Sequence, residues 1–271
     1  MQSATLLDQP RAIGSATVSS KRRDGHSCLD DLHQAGALKV VFPRVQHRVE
    51  GILVNTAGGV TGGDRFDISA RAGAGSRLTL TTQAAERAYR AQPHQVGRIR
   101  TRLSVDEDAE LLWLPQETIL YDGSALSRRL DVDLADTARF LMVEPVLFGR
   151  RAMGEGLHDA SFRDRIDIRR QGVPIYRDGV LLKGDVEATL DRPAIGGGAR
   201  AMANLILVSP EAEGARGSVR ALIGETGGAS LLQPGVLAMR LLACDGFELR
   251  QRLVPVLDRL THNTLPTSWR L

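Results

Sequence analysis

An all-β core finished by helix is the fold class this sequence predicts, on three observations. Apolar and polar residues alternate with period two in one segment after another. These segments recur at near-regular spacing, with turn residues rather than helices between them. In the last third, apolar residues change to helical spacing.

Taken in order, residues 64–71 set Phe66, Ile68 and Ala70 against Asp67, Ser69 and Arg71. Residues 98–105 put Ile99, Leu103 and Val105 on one face and Arg98, Arg100, Arg102 and Ser104 on the other. In residues 129–134, Leu130, Val132 and Leu134 oppose Arg129, Asp131 and Asp133. Each reads as a strand with one buried and one wet face. Further strands are expected at 78–82, 111–114, 139–143, 166–170 and 202–208. Asp178-Gly179 predicts a hairpin turn between Ile175-Tyr176 and Val180-Leu181-Leu182, and Asp122-Gly123 a second turn.

Near the C-terminus, Asp245-Gly246-Phe247-Glu248 resembles a capping box. Leu249, Leu253, Val256, Leu257 and Leu260 then follow a helical stripe, which Pro255 is expected to kink or split. Residues 219–224 read as part of another short helix, and the glycine clusters at 196–198 and 224–228 as loops. No linker divides the chain, so 1–271 reads as one domain, with 1–20 either an N-terminal strand or a flexible lead. On pattern alone sandwich, barrel and solenoid stay open, and no fixed-period repeat supports a simple solenoid array.

Composition bounds the function. Hydrophobic content of 42% and charged content of 25% are those of a soluble globular protein. Aromatic residues make up only 4%, too few for a base-stacking platform. The net charge is +3, and Lys occurs only at 21, 39 and 183, so Arg supplies nearly all the cations. Lys21-Arg22-Arg23 and the Arg98/Arg100/Arg102 stripe could meet phosphates, but acids follow closely, so a solvated or protein-binding face is expected. Cys28 and Cys244 form no C-x-x-C pair, residues 1–8 lack the pattern of a signal peptide, and no apolar run is long enough for a membrane span. A cytoplasmic location is the expectation.

The run Asn55-Thr56-Ala57-Gly58-Gly59-Val60-Thr61-Gly62-Gly63-Asp64 is the most distinctive segment. Its glycine spacing mimics a phosphate-binding loop, but Asp64 stands where that loop needs Lys. His26-x-Cys28-x4-His33 is the only local cluster of soft metal ligands, and it reads more simply as a polar surface turn. Glu86, Glu144 and Glu155 offer carboxylates for a two-carboxylate hydrolase on a β scaffold, or each pairs with a neighbour such as Arg87, Arg150 or Arg151.

The glycine run resembles the signature of the UreD (UreH) family of urease accessory proteins. Similar motifs follow in order at Thr81-Thr82-Gln83-Ala84-Ala85-Glu86-Arg87-Ala88-Tyr89-Arg90, at Leu114-Pro115-Gln116-Glu117-Thr118-Ile119-Leu120-Tyr121-Asp122-Gly123 and at Gly149-Arg150-Arg151-Ala152-Met153-Gly154-Glu155. Gly36-Ala37-Leu38-Lys39-Val40, Phe42-Pro43-Arg44 and the final Pro266-x-x-Trp269 extend the resemblance over about 21–271. Departures are Tyr121 where Phe is common, Arg87-Ala88 for Lys-Val, and Thr267 where Arg is usual.

The resemblance implies a mainly β, superhelical, β-helix-like stack of short strands with a few helices, and no catalysis of its own. It implies a urease maturation chaperone that joins UreF directly and the GTPase UreG through the complex, docks on apo-urease, and assists insertion of nickel delivered by UreE. It implies no tightly bound cofactor, only transient nickel; from composition and charge pattern, neither a nucleic-acid nor a membrane partner is expected. A conduit for nickel needs weak, scattered oxygen ligands rather than a Cys/His cage. Within the matching motifs Asp64 is the first candidate, then Glu155 and Glu144, with Thr82 and Glu86 behind them.

Overall fold

The computed structural model describes residues 10–270, so the expectation for residues 1–8 lies outside the described residues. In chain order the strands begin with β1 (Ile13–Arg23), β2 (His26–Gly36), β3 (Leu38–Val41), β4 (Val49–Asn55), β5 (Arg65–Ala72) and β6 (Arg77–Thr82). Next come β7 (Glu86–Ala88), β8 (Gly97–Val105), β9 (Glu110–Leu114), β10 (Thr118–Leu120), β11 (Ala125–Leu134), β12 (Arg139–Phe148), β13 (Ala160–Arg170) and β14 (Val173–Gly184). Helix α1 (Val186–Asp191) leads to β15 (Ala201–Val208) and α2 (Ala212–Ile223). The chain then forms β16 (Gly227–Gln233), β17 (Val236–Ala243) and α3 (Gly246–Leu260).

From β4 to β13 the chain coils, laying one strand into a seven-stranded sheet and the next into a ten-stranded sheet. The seven-stranded sheet runs β14-β13-β11-β8-β5-β1-β2 and the larger one β16-β17-β15-β12-β9-β6-β4-β3, with β7 and β10 as a short side ladder. Successive coils stack in parallel: β5 on β8, β8 on β11, β11 on β13, and β4 on β6, β6 on β9, β9 on β12. Antiparallel partners, β2 and β14 in one sheet and β3 and β15 in the other, flank these parallel cores. The arrangement is β-solenoid-like, as the family resemblance implied. The absence of a visible repeat was misleading, because coils of about thirty residues with unequal turns need share only inward-facing apolar positions.

The core has two parts. One fills the space between the sheets with Phe66, Leu80, Leu103, Leu111, Leu130 and Phe140 among others. The second lies between the outer face of the larger sheet and α2 and α3, around Leu141, Leu205, Val219, Leu253 and Trp269. Strand β15, covered on both faces, is buried at all eight positions and reads as an unbroken apolar run.

The predicted strands are present, as is the Asp122-Gly123 turn, where Ser124 N donates to Tyr121 O. Asp178-Gly179 is not a turn: both residues lie inside β14, paired with Ile166 and Arg165. The hairpin closes instead at Gln171-Gly172, both at positive φ, and Asp178 is held in the strand by Asn204 and Arg240 across the core. His26, Cys28 and His33 lie on strand β2, not on a turn. Helix α3 starts as expected, with Asp245 accepting from Glu248 N at 2.8 Å, but runs unbroken through Pro255. Pro255 is exposed, so water can satisfy the carbonyl freed by its missing N–H. The glycine cluster at 224–228 is only partly loop, since Gly227 and Gly228 open β16.

Candidate functional site

The glycine run makes two turns separated by Val60. In the first, Asn55 Oδ1 accepts from Ala57 N at 3.0 Å and Gly58 N donates to Asn55 O at 3.1 Å. A Cβ on Gly59 would lie 2.3 Å from the Tyr89 ring and 2.6 Å from the Arg87 carbonyl, so only glycine lets the strands approach. Gly62 is pressed as closely, against Ala91 and Gln95. In the second turn the buried Asp64 carboxylate accepts from Ala12 N and Thr61 N, both at 2.8 Å. Asp64 therefore ties the entry of β5 to the segment before β1, and both its oxygens are engaged by backbone.

Val60 pairs with Ala88, Ala88 with Leu120, and Leu120 with Phe148, forming a third, short ladder of buried residues along the coil axis. Three of the four motifs, and the residue just before the fourth, thus share one structural position in successive coils. Tyr89 and Tyr121 follow the ladder and meet edge-on, and the Arg150 guanidinium lies 4.1 Å from the Tyr121 ring centroid.

Glu86 opens the second of these segments. Asn55 Nδ2 donates to both its oxygens, at 3.1 and 3.2 Å, and also to Gly59 O at 2.9 Å. Burial pushes the Glu86 carboxyl up to about 7 against the pull of Asn55, and the charge of Asp64 adds to the rise. Glu86 and Thr82 line one cavity of about 180 Å³ with Asn55, Leu53 and Ile68. The Thr82 hydroxyl is committed to its loop, donating to Ala84 O and accepting from Gln116 N, both at 2.9 Å.

One coil further on, Thr118 is the register neighbour of Glu86. Its hydroxyl accepts from Arg128 Nη1 at 3.3 Å, and there a buried ionic cluster begins. Arg128, only 6% exposed, grips Asp164 through Nε at 3.0 Å and Nη2 at 2.6 Å. Nη2 also stands 3.2 Å from Glu144 Oε2, while Trp113 Nε1 donates to Glu144 Oε1 at 3.1 Å. Burial pushes the Glu144 carboxyl up to about 7 against the pull of Arg128, with Asp164 adding to the rise. Burial also works against the Arg128 charge, but Asp164 and Glu144 outweigh it and raise its pKa.

Glu155 lies elsewhere, bound to Arg150 through Nε at 2.8 Å and Nη2 at 3.2 Å, and lines a cavity of about 260 Å³ with His158, Glu187 and Arg200. The expected Arg pairing thus holds for Glu155. Glu144 takes Arg128 instead, and Glu86 takes Asn55. Glu86 and Glu155 line different cavities, and Glu144 is enclosed with Trp113 and Arg128. On the outer face of the smaller sheet, Arg100 pairs with Asp131 and Arg102 with Asp67. Among the described residues no three His, Cys, Asp or Glu side chains gather as a metal cage, and no helix is long and apolar enough to cross a membrane.

Sequence reasoning missed Arg128 and Asp164, although the signal was present. Arg128 shares the parity of the buried Leu126, Leu130 and Val132, and Asp164 that of Phe162, Ile166 and Ile168. A charge in phase with an apolar face is a buried charge in need of a partner.

Residues 12–270 match the model of the family described as UreD urease accessory protein. Among curated relatives named urease accessory protein UreD, that of Roseobacter denitrificans is 63% identical over 100% of this chain and 99% of its own. That of Ruegeria sp. is 56% identical over 97% of this chain and 91% of its own. That of Agrobacterium fabrum is 42% identical over 97% and 93%. With the stacked glycine, Glu86, Thr118 and Gly149 motifs in one solenoid, these matches establish that the chain belongs to the UreD family of urease accessory proteins.

Proposed function

We propose that this chain is a non-catalytic, cytoplasmic subunit of the urease maturation machinery. In this reading it binds UreF directly and UreG through the complex, docks on apo-urease, and passes on nickel delivered by UreE. The observation that carries the reading is the polar line inside the solenoid, from Asn55 and Glu86 through Thr118 and Arg128 to Glu144 and Asp164. Scattered carboxylate and hydroxyl oxygens hold a divalent ion weakly enough to release it. Glu86 and Glu144 would touch the ion. Asp64 and Thr82 would hold the loops that present Glu86, and Glu155 would stand apart at an outer mouth.

The test is co-expression with UreF, UreG and apo-urease. Glu86→Gln with Glu144→Gln should leave the complex intact and lower urease nickel content. Failure of this chain to co-purify, or full urease activation without it, would refute the reading.

A further inference from the structure

The cluster around Arg128 contains more charge than packing requires. Two buried acids share one guanidinium, and Glu144 Oε2 accepts no hydrogen bond although the residue is only 2% exposed. A buried carboxylate oxygen without a donor is destabilising, and an apolar trio of similar volume would be at least as stable. The partners nonetheless fix the geometry from every side. Trp113 holds Glu144 by its other oxygen, so Oε2 points at Arg128 Nη2. Asp164 Oδ2 points at the same nitrogen from β13, and the guanidinium lies over the Phe162 ring with its carbon 5.7 Å from the centroid.

Two carboxylate oxygens therefore converge on Arg128 Nη2, while the Thr118 hydroxyl accepts from the other terminal nitrogen, Nη1, of the same guanidinium. Such hard oxygen donors suit a divalent ion bound without thiolate or imidazole. We propose that Glu144 and Asp164 form a divalent-cation site whose built-in occupant is the Arg128 guanidinium, so that an ion enters only by displacing Arg128. The proposal rests on the reading of the interior as an ion route and adds its gate. When the site is empty, Arg128 balances the acids and keeps the interior from trapping metal. When an ion arrives, the guanidinium swings toward Thr118, whose hydroxyl already accepts from Arg128 Nη1. The ion's stay is then limited by the return of Arg128.

The experiment uses the full chain and nickel chloride, without urease, so its outcome is separate from that of the maturation assay. Thermal unfolding and equilibrium dialysis at pH 8 compare wild type, Arg128→Met, Arg128→Lys, and a neutral control carrying Arg128→Met, Glu144→Gln and Asp164→Asn. In saturating nickel, Arg128→Met should bind one more ion than the neutral control and its midpoint should rise by about 5–10 °C. Wild type and control should shift far less, and Arg128→Lys, with a single-point cation, should fall between. If Arg128→Met is unfolded without metal, nickel should restore its fold. An Arg128→Met chain that folds without gaining an ion overturns the proposal. So does one that stays unfolded in nickel while Arg128→Lys responds no more than wild type.

Discussion

Asn55 Nδ2 bridges both oxygens of the Glu86 carboxylate across two coils of the solenoid, at 3.1 and 3.2 Å. An amide donor cannot neutralise a carboxylate, so burial dominates and the Glu86 pKa rises from 4.5 to about 7. The folded chain thus holds this proton more tightly than the unfolded chain. Its contribution to stability is complete below about 4.5 and is lost as pH rises through about 7. Glu86→Gln should therefore be more stable than wild type at pH 8, by about 1–3 kcal/mol, with the gap closing toward pH 4.5. Urea titrations at the two pH values measure it, and a pH-independent gap would contradict this account.

Asp164→Ala should destabilise by about 3–5 kcal/mol, since it strips Arg128 of its two-point partner inside the core. Arg71→Ala is the contrast. Its bond to Asp106 is as short, 2.6 Å, but the Arg71 side chain is 63% exposed, so the loss should stay below about 1 kcal/mol. Denaturant midpoints at fixed pH decide whether burial or bond length sets the effect.

Among the glycines, Gly58→Ala and Gly59→Ala should separate. A Cβ on Gly58 meets nothing within 4 Å, and only its φ of +76° resists substitution, at about 1 kcal/mol. On Gly59 it would strike the Tyr89 ring and the Arg87 carbonyl, and the loss should exceed about 3 kcal/mol. Soluble yield and melting temperature rank the two; equal effects would mean the close approach is unimportant.

Asp64→Ala leaves the Ala12 and Thr61 amides without their acceptor and should lower stability by about 2–4 kcal/mol. Any fall in urease nickel loading should then track the loss of folded protein. A well-folded Asp64→Ala chain that fails to support nickel loading would return Asp64 to the ion route.

Trp269 seals the C-terminal end: its Nε1 donates to Leu114 O at 2.9 Å, and Arg250 binds both Glu117 and the Trp269 carbonyl. Trp269→Ala should destabilise by about 3–5 kcal/mol and uncover the outer face of the larger sheet. Thermal melts and binding of a hydrophobic dye report both changes. The neighbouring Thr267, the departure from the family pattern, is exposed.

Strands such as β5, β8 and β11 were legible because one face meets the core and the other meets water, which writes burial into the sequence as period two. The α3 cap was legible because Asp245 and Glu248 act within one turn. Family membership was also readable, from motifs whose order survives without knowledge of contacts. The stacking of Val60, Ala88, Leu120 and Phe148 was not, because the pairing joins residues in different coils and the sequence carries no register between them. Nor was the fate of Asp178-Gly179, where the left-handed turn at Gln171-Gly172 set the hairpin. The sequence by itself determined a β protein of the UreD family and named Glu86 and Glu144 as acids of interest. Only the tertiary structure decided that Asp64 serves the backbone, that Glu155 pairs with Arg150, and that Glu144 meets Arg128 and Asp164. A carboxylate's role depends on the donor it faces, and in a solenoid that donor comes from another coil.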